Sequence, residues 1–448
     1  MKTFEEILTP ERLELVRTDR FALQEKYFED AKTVIGEEAV NELRELYRIY
    51  DERFYIWFAG LWEPEIGGFY FSNSARDTEG FLPDIESTVQ ALNCCQAMGL
   101  TMGKSYAEIV PEKMKEGLLR FTKGLQDPDN GYFYHPQWGR RVVVPRRGRD
   151  LNWAVSLLEA FEAKPDYPSP LDKTSDGKKS ESLPEHFQTI EAFRKYLSEF
   201  DLSTRSYWVG NMLQSQVIQI RAAGQEFIDE MFAWLAEHQR EDNGLWQEKV
   251  EYDSVNGLMK LGLMYTTLGA YLPNAEAALD STIDAAMSDQ RITFCCQFYN
   301  PLTTICTIMN NMKKFGKAER AEELRAQLVS RAPDLIRATK RKVSLCKRSD
   351  GSYGYNPTLT GSGCRRSQCA PVGLGLADEG DVNGGSISLN GVMRSLCQAL
   401  GLPVIPAFGT EDTKLFYELI ENATVRPKVN SKPEWFDSYL VEEGAVWA

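Results

Sequence analysis

The chain has 448 residues and a formal net charge of −14, from 65 acidic and 51 basic side chains. So acidic a surface argues against nucleic acid or an anionic membrane as the general partner. The sequence contains neither an apolar signal-peptide core nor a run of about 18 apolar residues that would span a bilayer. We therefore expect a cytoplasmic protein whose nine cysteines are reduced thiols.

Six nearly uncharged, apolar segments are predicted to be buried helices, and a charged amphipathic helix precedes each of them. The apolar helices are expected at 84–100, 150–163, 205–223, 253–270, 299–315 and 383–401. Their amphipathic partners are expected at 38–60, 107–125, 184–200, 225–239, 275–288 and 318–345. Strand signals are scarce, and only Arg141–Pro145 has an extended pattern.

An internal repeat organises this alternation. Each of four copies has a turn rich in Asp, Asn or Gly, then an aromatic residue, then a loop, then an Asp that opens an apolar helix. The turns are Glu65–Tyr70, Asp127–Tyr132, Glu241–Trp246 and Asp350–Tyr353, and the helix-opening acids are Asp84, Asp150, Asp253 and Asp381.

These features predict an all-α fold, an (α/α)6 toroid of six helical hairpins in one domain. The hairpins occupy 38–402, with an N-terminal extension at 1–37 and a C-terminal extension at 403–448. In such a toroid the long connections into the inner helices lie on one face. We therefore expect the functional pocket where the inner helices begin.

Acidic residues at that face are the first candidates for chemistry. Asp84 with Glu86, and Asp150, could act as general acid and base, because helices converging on one pocket bring their carboxylates together. His135 is the one histidine in a loop of this face and is a further acid–base candidate. The alternative is that each Asp only caps its helix, and that His135 makes structural hydrogen bonds.

An arginine-rich segment precedes Asp150. Of its five arginines between 140 and 149, we expect Arg146, Arg147 and Arg149 to bind an anionic group of a substrate. The alternative is a solvated basic patch that balances nearby acids.

Aromatic and polar side chains around the same helix starts are expected to contact the substrate. These are Trp153, Tyr207, Trp208, Tyr252, Asp253, Asn256, Tyr299 and Asp381. Packing beneath the loops is the alternative for each ring. No metal site, phosphate-binding loop or serine nucleophile motif is apparent, so no cofactor is expected.

With this arrangement the chain resembles the six-hairpin glycosidases and polysaccharide lyases over about residues 38 to 402. Gln239–Trp246 and Gln126–Tyr132 also look similar to the Gln-x-x-x-Gly-x-Trp repeats of terpenoid cyclase toroids. The first resemblance implies an enzyme that hydrolyses or eliminates a short, uronate-bearing oligosaccharide. A cyclase of isoprenoids and a non-catalytic carbohydrate- or peptide-binding toroid are the alternatives. The sequence leaves self-association open.

Overall fold

The structure is a computed structural model that describes residues 2–173, 177–357, 374, 378–434 and 436. It is 63% helix and 3% strand, which confirms the all-α class. In chain order the helices are α1 (Phe4–Ile7), α2 (Pro10–Tyr47), α3 (Glu52–Ala59), α4 (Asn73–Asp77), α5 (Ile85–Met98), α6 (Tyr106–Ile109), α7 (Glu112–Gly124), α8 (Val144–Ala160), α9 (Ile190–Ser198), α10 (Leu202–Ser215), α11 (Val217–Ala223), α12 (Gln225–His238), α13 (Tyr252–Leu268), α14 (Ala275–Met287), α15 (Cys296–Lys314), α16 (Ala318–Val329), α17 (Ala332–Ser344), α18 (Val382–Ser386), α19 (Leu396–Ala399) and α20 (Thr410–Glu421).

Three other kinds of element occur among the described residues. The chain between α18 and α19 continues as a π-helix, Ile387–Ser395. Single 3₁₀ turns occur at Gly139–Arg141 and Glu185–Phe187. Strands β1 (Trp62–Glu63) and β2 (Gly68–Phe69) form an antiparallel hairpin.

All six predicted apolar segments are helical. The third is divided into α10 and α11, the sixth consists of α18, the π-helix and α19, and the second begins earlier than expected. Helix α8 starts at Val144 instead of 150, because Pro145 occupies the first turn, where its fixed φ suits a helix and its missing N–H costs nothing. Of the expected extended segment, Val142 and Val143 are extended, whereas Val144 and Pro145 belong to the helix. Asp150 consequently lies inside the helix, together with the arginines that precede it, and does not cap it.

The apolar helices contact one another in chain order. Helix α5 packs on α8, α8 on α10, α10 on α13, and α13 on α15. Helix α15 packs on the π-helix, which together with α18 packs on α5. The contacts therefore pass through all six apolar helices and return to the first.

The N-terminal helix α2 packs against α20, which follows the apolar helices in the chain. Helix α2 is broken at Gly36, whose φ of 80° is left-handed, beside the boundary that the sequence predicts for the N-terminal extension. Helix α20 packs on α2, α3 and α7. A buried ion-pair network joins α2 to α3 and α20, because Arg20 pairs with both Glu52 (3.1 Å) and Asp412 (2.7 Å).

The four repeated turns adopt related conformations. Each places a glycine in the left-handed region that residues with a side chain avoid: Gly67, Gly131, Gly244 and Gly351. In the first three, the glycine N–H donates to the carbonyl four residues earlier, and in the shorter fourth turn to the carbonyl three residues earlier. The repeat found in the sequence is thus a repeat of structure.

Candidate functional site

The first turn of α5 and the N-terminal half of α8 meet in a buried charge cluster. The Glu86 carboxylate accepts hydrogen bonds from Arg146 (3.2 Å) and Arg149 (2.5 Å) of α8. Glu86 is 4% exposed and Arg146 is 1% exposed. Glu86 is therefore an ion-pair partner of both arginines.

Asp150 lies one helical turn beyond Arg146. Its side chain is 3% exposed, yet no residue in the described part of the chain donates a hydrogen bond to its carboxyl group. Burial raises the pKa of Asp150 to about 7, and the charges of Glu86 and Asp84 act in the same direction. A carboxyl group with this pKa exists in both protonation states near neutral pH, as proton transfer requires.

Asp84 has the capping role that the alternative interpretation gives it. Its Oδ1 accepts the backbone N–H of Ser87 (2.8 Å), and its Oδ2 accepts the Ser87 hydroxyl (2.6 Å). Burial nevertheless raises the pKa of Asp84 to about 7. Because the charge of Asp84 contributes to the raised pKa of Asp150, the two carboxyl groups lie close enough to interact.

His135 lies beside Asp84 as a neutral ring. Its Nδ1 accepts the backbone N–H of Gln137 (3.1 Å), which assigns the proton to Nε2. That nitrogen is 3.9 Å from Asp84 Oδ2, too far for a hydrogen bond. Burial lowers the pKa of His135 to about 3, so the imidazole holds no extra proton to donate at neutral pH.

The three candidate arginines have different surroundings. Arg149 stacks over the Trp153 ring at 4.3 Å, so two of the predicted binding residues are brought together. Arg147 instead donates to the carbonyl groups of Val142 (2.9 Å) and Arg140 (2.6 Å) and so holds the chain at the start of α8. The structure thus places Arg146 and Arg149, but not Arg147, at the Glu86 cluster.

Three further titratable side chains lie deep in the protein yet are partly accessible. Lys260, Tyr207 and Tyr299 are all half-buried. Burial lowers the pKa of Lys260 to about 8 and raises the pKa of both tyrosines. The charge of Arg149 also lowers the pKa of Lys260, and it opposes the rise in the pKa of Tyr207. Lys260 and Tyr207 therefore lie near Arg149 of the Glu86 cluster.

The remaining predicted binding residues make other contacts. Asp253 is exposed, and the helix it was expected to open is capped by Glu251. Trp208 packs edge-on against Phe200, with ring centroids 5.5 Å apart. The other three form hydrogen bonds within the fold: the Tyr252 hydroxyl to the Gln290 carbonyl (3.0 Å), the Asn300 amide to Asn256 (3.0 Å), and the Gly384 and Tyr355 N–H groups to Asp381 (2.7 Å each).

Lys260 was missed at the sequence level. It is the one charged residue between Ser254 and Leu268 of an apolar helix, which could have drawn attention to it. Gly210 makes room for its stem, because a Cβ at Gly210 would lie 2.7 Å from the Lys260 Cβ. No residue of the described chain accepts a hydrogen bond from its ammonium group.

The described residues were also searched for metal-binding groups and membrane-spanning helices. They contain no group of three His, Cys, Asp or Glu side chains placed to hold a metal ion. Nor does any helix among them combine the length and apolar character needed to cross a bilayer. Comparisons with models of protein families, with curated proteins and with solved structures find no match to this chain.

Proposed function

We propose that the six apolar helices are the inner barrel of an (α/α)6 toroid whose cavity is an active site for a short, uronate-bearing oligosaccharide. The closed series of contacts between these helices supports the architecture. The observation that carries the activity is Asp150, a buried carboxyl group without a hydrogen-bond donor in the described chain, next to the ion pairs of Glu86 with Arg146 and Arg149.

The positively charged side chains of Arg149 and Lys260 are suited to bind the carboxylate of an acidic sugar. Arg149 and Lys260 lie near one another and carry the charge that a uronate carboxylate needs. The Trp153 ring beneath Arg149 offers a flat apolar surface of the kind on which sugar rings stack. An isoprenoid chain would have to desolvate Lys260, for which the described residues supply no hydrogen-bond acceptor, and this disfavours the cyclase alternative.

Elimination fits the two carboxyl groups better than hydrolysis does. Hydrolysis uses a pair of carboxyl groups on either side of the glycosidic bond. Both oxygens of Asp84 are already occupied by Ser87, whereas Asp150 is available. Asp150 would then remove the C5 proton next to the uronate carboxylate, while Arg149 and Lys260 stabilise the negative charge that develops there. The C4–C5 double bond would form as the C4–O glycosidic bond breaks, and the departing oxygen would take a proton from Asp150 or from water.

Turnover of uronate-bearing oligosaccharides by wild type and Asp150→Asn tests this proposal. Elimination leaves a conjugated double bond in the product, which is followed by ultraviolet absorbance. We expect the variant to lose roughly 10²–10⁴-fold in kcat, because an amide cannot take the proton. Asp30→Asn, at an exposed position of α2, is the matched control and should retain activity. Equal rates for Asp150→Asn and wild type would refute the assignment.

A further inference from the structure

The candidate site is closed in this structure. Glu86, Arg146 and Asp150 are 4%, 1% and 3% exposed. A sugar ring cannot contact side chains that are covered so completely, so part of the cover must move before a ligand enters. The segments that move in this way are those with few buried apolar contacts.

A strap of chain that follows the apolar helices (residues 424–434, with Phe436) lies against the loop that leads into α5. The Asn430 N–H donates to the Asp77 carbonyl (3.0 Å), and the Asn430 carbonyl accepts the Glu79 N–H (3.0 Å). The strap is therefore bound to this loop a few residues before the first turn of α5, which carries Glu86 of the candidate site.

Lys428 is the side chain that holds the strap to this loop. Four oxygen atoms lie within hydrogen-bond distance of its ammonium group: the carbonyl oxygens of Arg76 (2.7 Å), Phe81 (3.2 Å) and Ala75 (3.3 Å), and the Tyr70 hydroxyl (3.2 Å). The ammonium group also lies 4.3 Å from the centre of the Tyr70 ring. Because hydrogen bonds from a charged donor are the strong ones, Lys428 contributes most of the polar attachment.

Phe436 extends the same cover to the loop that leads into α8. Its ring packs edge-on against Phe81, with centroids 5.1 Å apart, and lies 6.0 Å from the Trp138 ring. Trp138 in turn stacks on His135 at 5.4 Å, and His135 Nε2 is 3.9 Å from Asp84 Oδ2. Contacts therefore continue from the strap to the residue that caps α5, at the edge of the candidate site.

The rest of the strap is poorly buried. Val425 is 46% exposed and Val429 is 72% exposed, so the burial of these apolar side chains contributes little to holding the strap in place. The helices beneath it are packed on one another on several sides. The strap is thus the part of the cover that opens at the lowest cost in free energy.

We propose that the strap is a lid over the candidate site, held closed by Lys428, and that a ligand enters only after Lys428 has left the loop. Opening separates Phe436 from Trp138 and uncovers the space where the first turn of α5 meets α8. This inference rests on the proposed function for the location of the site, but not for the sugar or the reaction.

Phenylglyoxal, a small reagent that modifies arginine side chains, measures access to the site without any sugar. Arg146 and Arg149 of the native full-length protein are followed by peptide mass spectrometry, with the exposed Arg240 as internal reference. We expect Lys428→Met to speed modification of the two site arginines about tenfold, the scale of one lost charge-assisted hydrogen bond. Lys26→Met, the same substitution at an exposed position of α2, should change neither rate. Equal rates in Lys428→Met and wild type would overturn the role of Lys428.

A disulfide between the strap and the loop tests the lid in the opposite direction. The Asn430 amide donates to the Thr78 hydroxyl (3.3 Å), so cysteines introduced at these two positions face one another. In the double variant Thr78→Cys, Asn430→Cys, oxidation should slow modification of the two site arginines at least about tenfold relative to the reduced form, because opening is blocked. Arg240 should react equally in both forms.

This comparison decides even if Lys428→Met fails to fold, because it uses one variant in two redox states. Site arginines that react equally fast before and after oxidation would show that the strap is not the lid. That outcome would leave the proposed function untouched, since Asp150→Asn tests the reaction separately.

Discussion

Replacing Asp150 with Asn should change how stability depends on pH. The folded-state pKa of Asp150 is about 7, above the ordinary value of 3.8, because the carboxyl group is buried. The folded protein therefore retains a proton that the unfolded chain releases. The resulting stabilisation is fully present below about pH 4 and is lost as the pH rises through about 7. Asp150→Asn has no such proton.

The size of the effect follows from the two pKa values. Between pH 5 and pH 8 the proton on Asp150 contributes on the order of 2 to 3 kcal/mol to the wild-type free energy of unfolding, and this contribution disappears over that range. The other buried carboxyl groups are present in both proteins and largely cancel. The free energy of unfolding of Asp150→Asn, relative to wild type, should therefore rise by that amount from pH 5 to pH 8.

Urea denaturation at the two pH values, followed by circular dichroism, measures this difference. Asp30→Asn, which changes an exposed carboxyl group, should show the same offset from wild type at both pH values. If the stability difference between Asp150→Asn and wild type were also independent of pH, Asp150 would have an ordinary pKa. The argument that Asp150 can give or take a proton near neutral pH would then fail.

Two further predictions concern the Glu86 ion pairs and the glycine of the second repeated turn. Glu86→Gln removes the charge with which Arg146 and Arg149 pair. We expect this variant to lose about 3–5 kcal/mol of folding stability in chemical denaturation. A loss below about 1 kcal/mol would show that the cluster is solvated. Gly131→Ala should cost more stability than Gly139→Ala, which we expect to cost about 1–2 kcal/mol. Both glycines have positive φ, but a Cβ at Gly131 would lie 1.9 Å from the Pro168 carbonyl oxygen, whereas one at Gly139 would meet nothing within 4 Å. Equal melting temperatures for the two alanine variants would contradict this structure of the second turn.

The helical repeat could be predicted from the sequence because its signals are local. Apolar periodicity and the turn glycines, such as Gly131 and Gly244, identify the hairpins without knowledge of tertiary contacts. The start of α8 was placed too late, because three consecutive valines before Pro145 have strong β propensity. Tertiary packing, together with the proline in the first turn, outweighed that local preference.

The division of roles among the site residues could not be predicted in the same way. Asp84 and Asp150 occupy equivalent places in the repeat, but only Asp84 caps its helix. The pairing of Glu86 with Arg146 and Arg149 joins residues 60 or more positions apart, which no local pattern reveals. Lys260 is conspicuous in the sequence, but its position depends on its contact with Gly210 of another helix.

Calorimetric titration with a uronate-bearing disaccharide and with its neutral counterpart tests the central claim most directly, because it requires no assumption about the reaction. We predict that the acidic sugar binds at least about tenfold more tightly, as one charge-assisted contact of about 1.5–3 kcal/mol implies. We also predict that Lys260→Met removes most of this preference. Equal affinity for the two sugars, or no binding of the acidic one, would contradict the account of the cavity as a site for acidic oligosaccharides.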